Sequence, residues 1–347
     1  MNDERKRGMP LAGFSLVELV VALAISLFLI SAAVTVYVRG RVVVETNETI
    51  ARLQDAGRYA LSVIEPDIEL AGYLGLSNTA ASFRLVEHGR TQSFLATAWG
   101  LRQSAGTAIS QLGTAAHACG RNFAIDILRV AQGSNGGFAL GPDATSACQP
   151  YPPGAEPAAD TLTLRRASVD VTTAQAGRIQ ILSSRLSGLG GQLLFVDGQP
   201  PARPDADHEI HDLLVRAYYV ARSSVDHAHF PALRVKSLTS ISGKAAFADS
   251  EVVPGIEDLQ VQFAIDSASH NGQASSYVNP DFPDLESQQI VAVRLWVRVR
   301  AESPEPGFAD DRQYDYADVR FVPAGAERAI RRILLSRTIT LRNARIS

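Results

Sequence analysis

Residues 14–38 read FSLVELVVALAISLFLISAAVTVYV and form a long apolar stretch near the start of this 347-residue chain. Twenty of the 25 residues are apolar, four are Ser or Thr, and Glu18 is the one charged residue. As an α-helix the stretch would be about 37 Å long, which is enough to cross a hydrocarbon core of about 30 Å. It therefore predicts a membrane-spanning helix rather than a buried helix of a soluble protein.

A secretory signal cut near residues 31–33 and an uncleaved signal anchor are the alternative interpretations of this stretch. Neither explains Glu18, because an ionised carboxylate at bilayer depth costs roughly 2.5–3.5 kcal/mol and should have a partner or a function. Basic residues at 5–7 favour a cytoplasmic N-terminus, whereas Arg39 and Arg41 beyond the stretch weaken that charge asymmetry.

The sequence GFSLVE at residues 13–18, behind a short basic leader, resembles the processing site of type IV prepilins. The resemblance implies that prepilin peptidase cuts after Gly13 and methylates the new amino group of Phe14. It also implies that the Glu18 carboxylate of one subunit neutralises the cationic amine of a neighbouring subunit during assembly. A carboxylate in an otherwise apolar helix then has a function.

Helical periodicity continues beyond the apolar stretch. Apolar residues recur three and four positions apart, with charged residues between them, at Ile50, Leu53, Gly57, Leu61, Ile64 and Ile68. No proline interrupts residues 14–65, so the sequence predicts one helix of about 50 residues whose amphipathic part packs on a globular head. Pro66 predicts a kink or a restart, and the helix is expected to finish around Gly72.

Composition divides the chain into five predicted segments: a leader (1–13), a transmembrane half-helix (14–38), an amphipathic half-helix (39–75), a loop-rich insertion (76–159) and a β-rich head (160–347). The insertion is rich in glycine and proline, with a short strand expected at Phe123–Val130. It contains both cysteines, Cys119 and Cys148. A disulfide is allowed if the head is periplasmic, and two free buried thiols are the alternative.

Strand signals repeat from residue 160 onward. The candidates are Thr161–Ala167, Arg178–Leu182, Gln192–Val196, Leu213–Ala221, Ala232–Leu238, Leu259–Ile265, Ile290–Arg300 and Ile333–Leu341. Strands that follow one long helix, with no helices between them, predict an α+β fold in which the helix packs on an antiparallel sheet.

Several stretches of the head resemble the PilW type of minor pilin. The matching stretches are DIELAGY at 67–73, ADTLTLRR at 159–166, LLVRAYYVAR at 213–222, PALRV at 231–235, VVPGIEDLQVQFAID at 252–266, IVAVRLWVRVR at 290–300 and TITLRN at 338–343. In the family a cysteine often follows the AGY run, whereas this chain has Leu74-Gly75-Leu76.

The resemblance implies an assembly protein of the inner membrane with a periplasmic head. Its implied partners are other minor pilins, the major pilin, the inner-membrane assembly platform and a large tip-associated adhesin. Together with other minor pilins it would initiate the pilus and sit at its tip. The J-type minor pseudopilin of type II secretion has a similar plan and is the nearest alternative, and a membrane-anchored periplasmic enzyme is a more distant one.

Other constellations give weaker signals. His208-Glu209-Ile210-His211 lacks the H-E-x-x-H spacing of zinc proteases and, like Asp226, His227 and His229, is interpreted as part of a solvated loop. Residues 266–272 (DSASHNG) are interpreted as a turn between strands rather than a calcium loop. No nucleophile elbow, Walker loop or dinucleotide fingerprint is present, so no catalytic residue, metal or cofactor is predicted.

Nucleic-acid binding is not expected from the charge. The chain has 33 basic and 36 acidic residues, a net charge of −3. Six arginines and no acidic residue lie between Arg328 and Ser347, which leaves a DNA-contacting strip as an alternative. A solvent-facing strand edge is the favoured interpretation, because this stretch has no aromatic residue for base stacking.

Overall fold

The computed structural model describes residues 13, 15–76, 84–87, 90–97, 100–103, 119, 123–124, 127, 129–140, 148–184, 193–200, 207–267, 271–285 and 288–343. The chain divides into two compact units, residues 1–52 and 53–347. The first unit is helical where it is described. The second contains the end of the same helix and all of the described strands.

Helix α1 (Leu16–Glu69) has 54 residues, which confirms the predicted single long helix. Residues 16–45 are all exposed, whereas the face containing Leu53, Leu61 and Ile64 is buried, as its spacing predicts. The predicted restart at Pro66 is wrong. The proline lies on an exposed position of the last turn, and the helix continues past it to Glu69.

Sixteen strands lie within the described residues. They are β1 (Arg84–Glu87), β2 (Arg90–Thr97), β3 (Gly100–Gln103), β4 (Ala131–Ser134), β5 (Thr161–Ala167), β6 (Ala176–Ser184), β7 (Leu193–Asp197), β8 (His208–Ala221), β9 (Ala232–Ile241), β10 (Lys244–Pro254), β11 (Ile256–Asp266), β12 (Ser276–Val278), β13 (Gln289–Arg300), β14 (Tyr314–Tyr316), β15 (Val319–Phe321) and β16 (Arg332–Thr340). A 3₁₀ turn (Gly325–Ala329) precedes the last strand.

The described strands form three sheets. The largest has ten strands: the order β10-β9-β8-β6-β7-β1-β2-β3, with β5 also paired to β8 and β4 paired to β5. The second has the order β12-β11-β13-β16, and β14 and β15 form a small hairpin. All recorded pairings are antiparallel except β1 with β7. The α+β prediction of a helix packed on antiparallel sheets is confirmed.

Two hydrophobic cores lie on opposite faces of the large sheet. Strand β8 shows the division: Leu213 and Val215 contribute to one core, and Tyr218 and Val220 to the other, as the alternation of strand side chains requires. The first core holds the buried face of residues 53–69 together with β11, β13 and β16. The second contains both cysteines and the buried residues of segment 119–148.

The strand predicted at Phe123–Val130 is wrong. Its described residues lie in turns or irregular backbone, and the next strand starts at Ala131. The carbonyl oxygens of this segment are used by a buried guanidinium: Arg165 donates to Phe123 O at 2.9 and 2.7 Å and to Arg129 O at 2.8 Å. A side chain therefore satisfies these two acceptors in place of a partner strand.

Candidate functional site

The start of α1 carries the residues of the predicted processing motif. Gly13 and Ser15 are exposed and lie outside the helix, and Phe14 lies outside the described residues. The Ser15 N–H donates to Glu18 Oε2 at 2.9 Å, and the Glu18 N–H donates to Ser15 Oγ at 3.2 Å. The Leu19 N–H donates to Ser15 O at 3.2 Å, which makes Ser15 the N-cap of the helix.

This reciprocal pair is a capping box, S-x-x-E, in which two otherwise unpaired backbone N–H groups are satisfied. Sequence reasoning gave Glu18 a role in assembly only and gave Ser15 none. The signal was present, because a serine three residues before a glutamate at the start of an apolar run is a helix-start signature. Glu18 therefore has a partner within its own chain.

Two hydroxyl groups in the apolar part of α1 donate to carbonyl oxygens of the same helix. Ser26 Oγ donates to Ala22 O at 2.7 Å, and Thr35 Oγ1 donates to Ser31 O at 2.8 Å. Within the described residues, α1 is the one helix that is long and apolar enough to cross a membrane. By length and composition it can serve as an N-terminal membrane anchor.

A buried carboxylate fixes the last turns of α1 to the large sheet. Asp67 is 2% exposed. Its Oδ1 accepts from Arg166 Nε at 3.0 Å, and its Oδ2 accepts from Arg216 Nη1 at 2.9 Å and from Tyr218 Oη at 2.6 Å. Burial, together with the Asp67 carboxylate, raises the pKa of the Tyr218 hydroxyl well above its usual value, so this hydroxyl remains a donor. The aspartate of the DIELAGY stretch thus joins the helix to β5 and β8.

The C-terminal arginines also contact the helix. Arg337 Nη2 lies 2.8 Å from Glu65 Oε1, and Arg342 Nη2 lies 2.9 Å from Glu69 Oε2. In addition, the Arg342 N–H donates to Glu69 O at 3.0 Å. These contacts connect β16 and the residues after it to the end of α1.

Strand β16 is an edge strand of its described sheet, as interpreted, but its arginines do not all face solvent. Arg332 is 1% exposed, with Nε 2.8 Å from Glu257 Oε1. Arg331 Nε lies 2.8 Å from Glu305 Oε2, and Arg328 pairs with Asp311. Each of the five arginines that the structure describes in this stretch has a carboxylate partner, which leaves little unneutralised charge for a polyanion. Arg345 lies outside the described residues.

Residues 217–343 match the family model for Type IV Pilus-assembly protein W. The match covers a little over one third of the chain and supports a type IV pilus-related protein. It begins within β8 and extends beyond β16, so it includes Tyr218, Arg337 and Arg342 but not the helix. The motif at the start of α1 and the family match are therefore separate observations. No curated protein and no solved structure matches the chain.

The two cysteines of the pilus-related chain are joined. Cys119 and Cys148 form a disulfide with a Cα–Cα distance of 5.4 Å, and both residues lie in the second core. In this core the two cysteines lie with apolar residues of β6 and β8, such as Ile181 and Val215.

Replacing Cys119 and Cys148 with serine is expected to lower the free energy of unfolding by about 3–4 kcal/mol, the chain-entropy value for a separation of 29 residues. Urea unfolding of the full chain in detergent, followed by tryptophan fluorescence, measures the loss. Wild-type protein with reductant should show the same reduced free energy of unfolding as the double variant. Alkylation of both thiols in unfolded protein without reductant would contradict the bond.

The histidine cluster is structural where the structure describes it. The solvated-loop interpretation of residues 208–211 is wrong, because they begin β8 and His211 is 1% exposed. Its Nδ1 lies 2.9 Å from Ser168 O, its Nε2 lies 3.3 Å from Glu209 Oε2, and its ring meets Tyr73 edge-on. Residues 226–229 form an exposed turn, as interpreted. Among the described residues, no group of three His, Cys, Asp or Glu residues is arranged to hold a metal ion.

A second buried carboxylate connects the two larger sheets. Asp160 Oδ1 accepts from the Gly136 N–H and its Oδ2 from the Val261 N–H, both at 2.8 Å, and the Asp160 N–H donates to Leu259 O at 2.8 Å. Burial raises the pKa of this carboxyl to about 7. The hydrogen bonds from the two N–H donors lower the pKa, but by less, and the charge of neighbouring Asp258 raises it further.

This pKa predicts a pH dependence of stability. Above pH 4 and up to about 7 the folded chain holds a proton on Asp160 that the unfolded chain has lost, so a rise in pH favours unfolding. Between pH 5 and 8 the free energy of unfolding should fall by about 2 kcal/mol from this group. Asp160→Asn should abolish this pH-dependent fall in stability, whereas Asp55→Asn, at an exposed position, should not. If the free energy of unfolding changes equally with pH in the wild type and in Asp160→Asn, the prediction is wrong.

Proposed function

We propose that the chain is a minor pilin that takes part in initiating type IV pilus assembly and sits at the pilus tip with other minor pilins. One observation carries the proposal: the sequence GFSLVE stands at the start of a 54-residue helix that ends in a head matching a pilus-assembly family. A processing motif alone and a head alone would each fit more than one kind of protein.

In this proposal prepilin peptidase cuts the Gly13–Phe14 bond on the cytoplasmic side and methylates the Phe14 amine. The apolar helix stays in the inner membrane, and Glu18 neutralises the amine of a neighbouring subunit. The disulfide supports a periplasmic head, because disulfides persist in oxidising compartments. The head then makes lateral contacts with other minor pilins, and the assembled tip primes the major pilin and carries a large adhesin.

The helix–head connection supports an assembly role. A subunit that is pulled from the membrane into a filament transmits force between its helix and its head. Here that connection consists of the Asp67 network and the arginine–glutamate pairs of the C-terminal strand, Arg337 with Glu65 and Arg342 with Glu69. The Asp67 carboxylate is buried, and charge-assisted contacts to a fully paired buried group are strong, whereas the two arginine–glutamate pairs are partly exposed and contribute less.

Gene deletion and complementation test the proposal. Deletion should reduce surface pili counted by electron microscopy, and the wild-type gene should restore them. The complementing protein should begin at methylated Phe14 by mass spectrometry and should be found in sheared pili. Loss of protein secretion in a deletion strain that still has normal pili would instead indicate the J-type pseudopilin. Normal pili in the deletion strain, or a mature chain starting near residue 33, would contradict the proposal.

A further inference from the structure

The second sheet has one face in the first core and another face turned away from it. On β13, the side chains of Val293, Leu295 and Val297 belong to that core. Because side chains alternate along a strand, the residues between them lie on the opposite face. We call this the outer face, and its residues are Tyr277 of β12, Arg294 and Trp296 of β13, and Ser336, Thr338 and Thr340 of β16.

Arg294 is held on the outer face by aromatic rings and a hydroxyl group. Its Cζ lies 3.6 Å from the centre of the Tyr277 ring and 5.7 Å from that of Trp296, and its Nε donates to Thr338 Oγ1 at 3.2 Å. These contacts fix the plane of the guanidinium. Within the part of the chain that the structure describes, its Nη1 and Nη2 groups have no acceptor, so this edge is open to a ligand.

The next arginines on the same side of β13 are neutralised by carboxylates of their own chain. Arg298 pairs with Glu257, and Arg300 pairs with Glu327. Arg294 is half-buried like Arg300, but no carboxylate among the described residues pairs with it. A fixed cation without a counter-charge in its own chain is complementary to a carboxylate that another chain supplies.

We propose that the outer face binds an acidic side chain on the head of a neighbouring pilus subunit, with Arg294 as the anchor of the contact. Tryptophan, tyrosine and arginine are the residue types that contribute most to binding at protein interfaces. Here the exposed hydroxyl groups of β16 form a polar rim beside them. The inference rests on the proposed function, because it assigns one of the head contacts that assembly requires.

Other anionic partners are less complementary to this face. A nucleic acid binds through several unneutralised cations along its backbone, and the outer face offers Arg294 alone. A sugar or a base stacked on Tyr277 would have to displace the guanidinium from the side of the ring that it occupies. A carboxylate needs only the open edge of the guanidinium, which binds it through two parallel hydrogen bonds.

Binding of the full-length chain in detergent to each purified minor pilin and to the major pilin of the same strain tests the proposal. One of these pilins should bind the wild type, and Arg294→Gln should weaken that affinity about tenfold, the low end for a hydrogen bond to a charged group. Added salt should weaken binding of the wild type more than that of the variant. Lys244→Gln is the matched control, because it removes the same charge from an exposed position of the large sheet.

Two further variants separate recognition from folding. Thr338→Val keeps the charge of Arg294 but removes the acceptor of its Nε, and it should weaken the affinity about threefold. Arg294→Glu should abolish binding, because it places like charges opposite each other. Replacing one exposed Asp or Glu of the bound pilin with Arg should then restore binding, which a misfolded variant could not show.

The outcomes distinguish the two proposals. If Arg294→Gln binds the pilin as tightly as the wild type, or if no charge exchange restores binding of Arg294→Glu, the inference is wrong and the proposed function is unaffected. Loss of binding to an acidic polysaccharide in Arg294→Gln, with pilin binding unchanged, would also overturn the inference. If the wild type binds none of the pilins, the inference is wrong, and the pilus count of the deletion strain decides separately on the proposed function.

Discussion

A chain with Glu18 replaced by glutamine is expected to be cut and retained in the membrane, yet to be about 100-fold scarcer in sheared pili than the wild-type chain. Glutamine can still occupy the third position of the capping box, so the helix start is preserved. It cannot neutralise a cationic amine. An unpaired charge at bilayer depth costs roughly 2.5–3.5 kcal/mol, and each 1.4 kcal/mol corresponds to a factor of about ten.

Quantitative immunoblots of the membrane and sheared-pilus fractions, with mass analysis of the N-terminus, measure this effect. Glu45→Gln is the matched control in the same helix, because the Glu45 carboxylate is exposed and pairs with Arg41 at 3.6 Å. Such pairs contribute little, and this variant should assemble like the wild type. If Glu18→Gln reaches pili at the wild-type level, the carboxylate has no neutralising role in assembly.

Replacing Asp67 with alanine should lower the free energy of unfolding by about 3–5 kcal/mol, the largest stability loss we expect from one substitution in the head. The change leaves Arg166, Arg216 and the Tyr218 hydroxyl without the acceptor that they share. Of these, Arg166 and Tyr218 are largely buried. Breaking a buried pair by removing one partner has a cost of this size, because an uncompensated charge remains.

Denaturation of the full chain in detergent, followed by tryptophan fluorescence, measures the loss. Asp55→Ala is the control, since Asp55 lies on the exposed face of the same helix. The stability loss of Asp67→Asn should lie between those of Asp67→Ala and Asp55→Ala, because asparagine keeps one oxygen acceptor but loses the charge. A loss below about 1 kcal/mol for Asp67→Ala would show that the network is not what holds the helix end to the sheet.

The elements that could be predicted from the sequence are those with a local periodic signal. The helix follows from spacing of three and four residues, and its buried face is the one that contains Leu53, Leu61 and Ile64. Thr161–Ala167 is a strand over the predicted residues, in which leucines alternate with β-branched threonines at the start. Strand β10 was missed, since its sequence KAAFADSEVVP has alanines and charges in place of β-branched alternation.

The contacts that define the site could not be predicted in the same way. Asp67 and its partner Arg216 are 149 residues apart, and no local pattern records such a pairing. His211 is polar in sequence but buried, and the partner of its Nδ1, Ser168 O, lies 43 residues away in the chain. Ser15 is the exception: its capping pattern is local, and it could have been recognised from residues 15–18 alone.

The position of β16 has a consequence for the order in which the chain folds. α1 has no basic residue in its last turn, and its C-terminal carbonyl and glutamates are met by Arg337 and Arg342 from the far end of the chain. Gly57 lies so close to Leu335 of the same strand that no larger residue fits without a shift. The apolar face of residues 53–69 therefore cannot complete its core until β16 has been synthesised. Until then this face lacks the cover that β16 gives it in the folded chain.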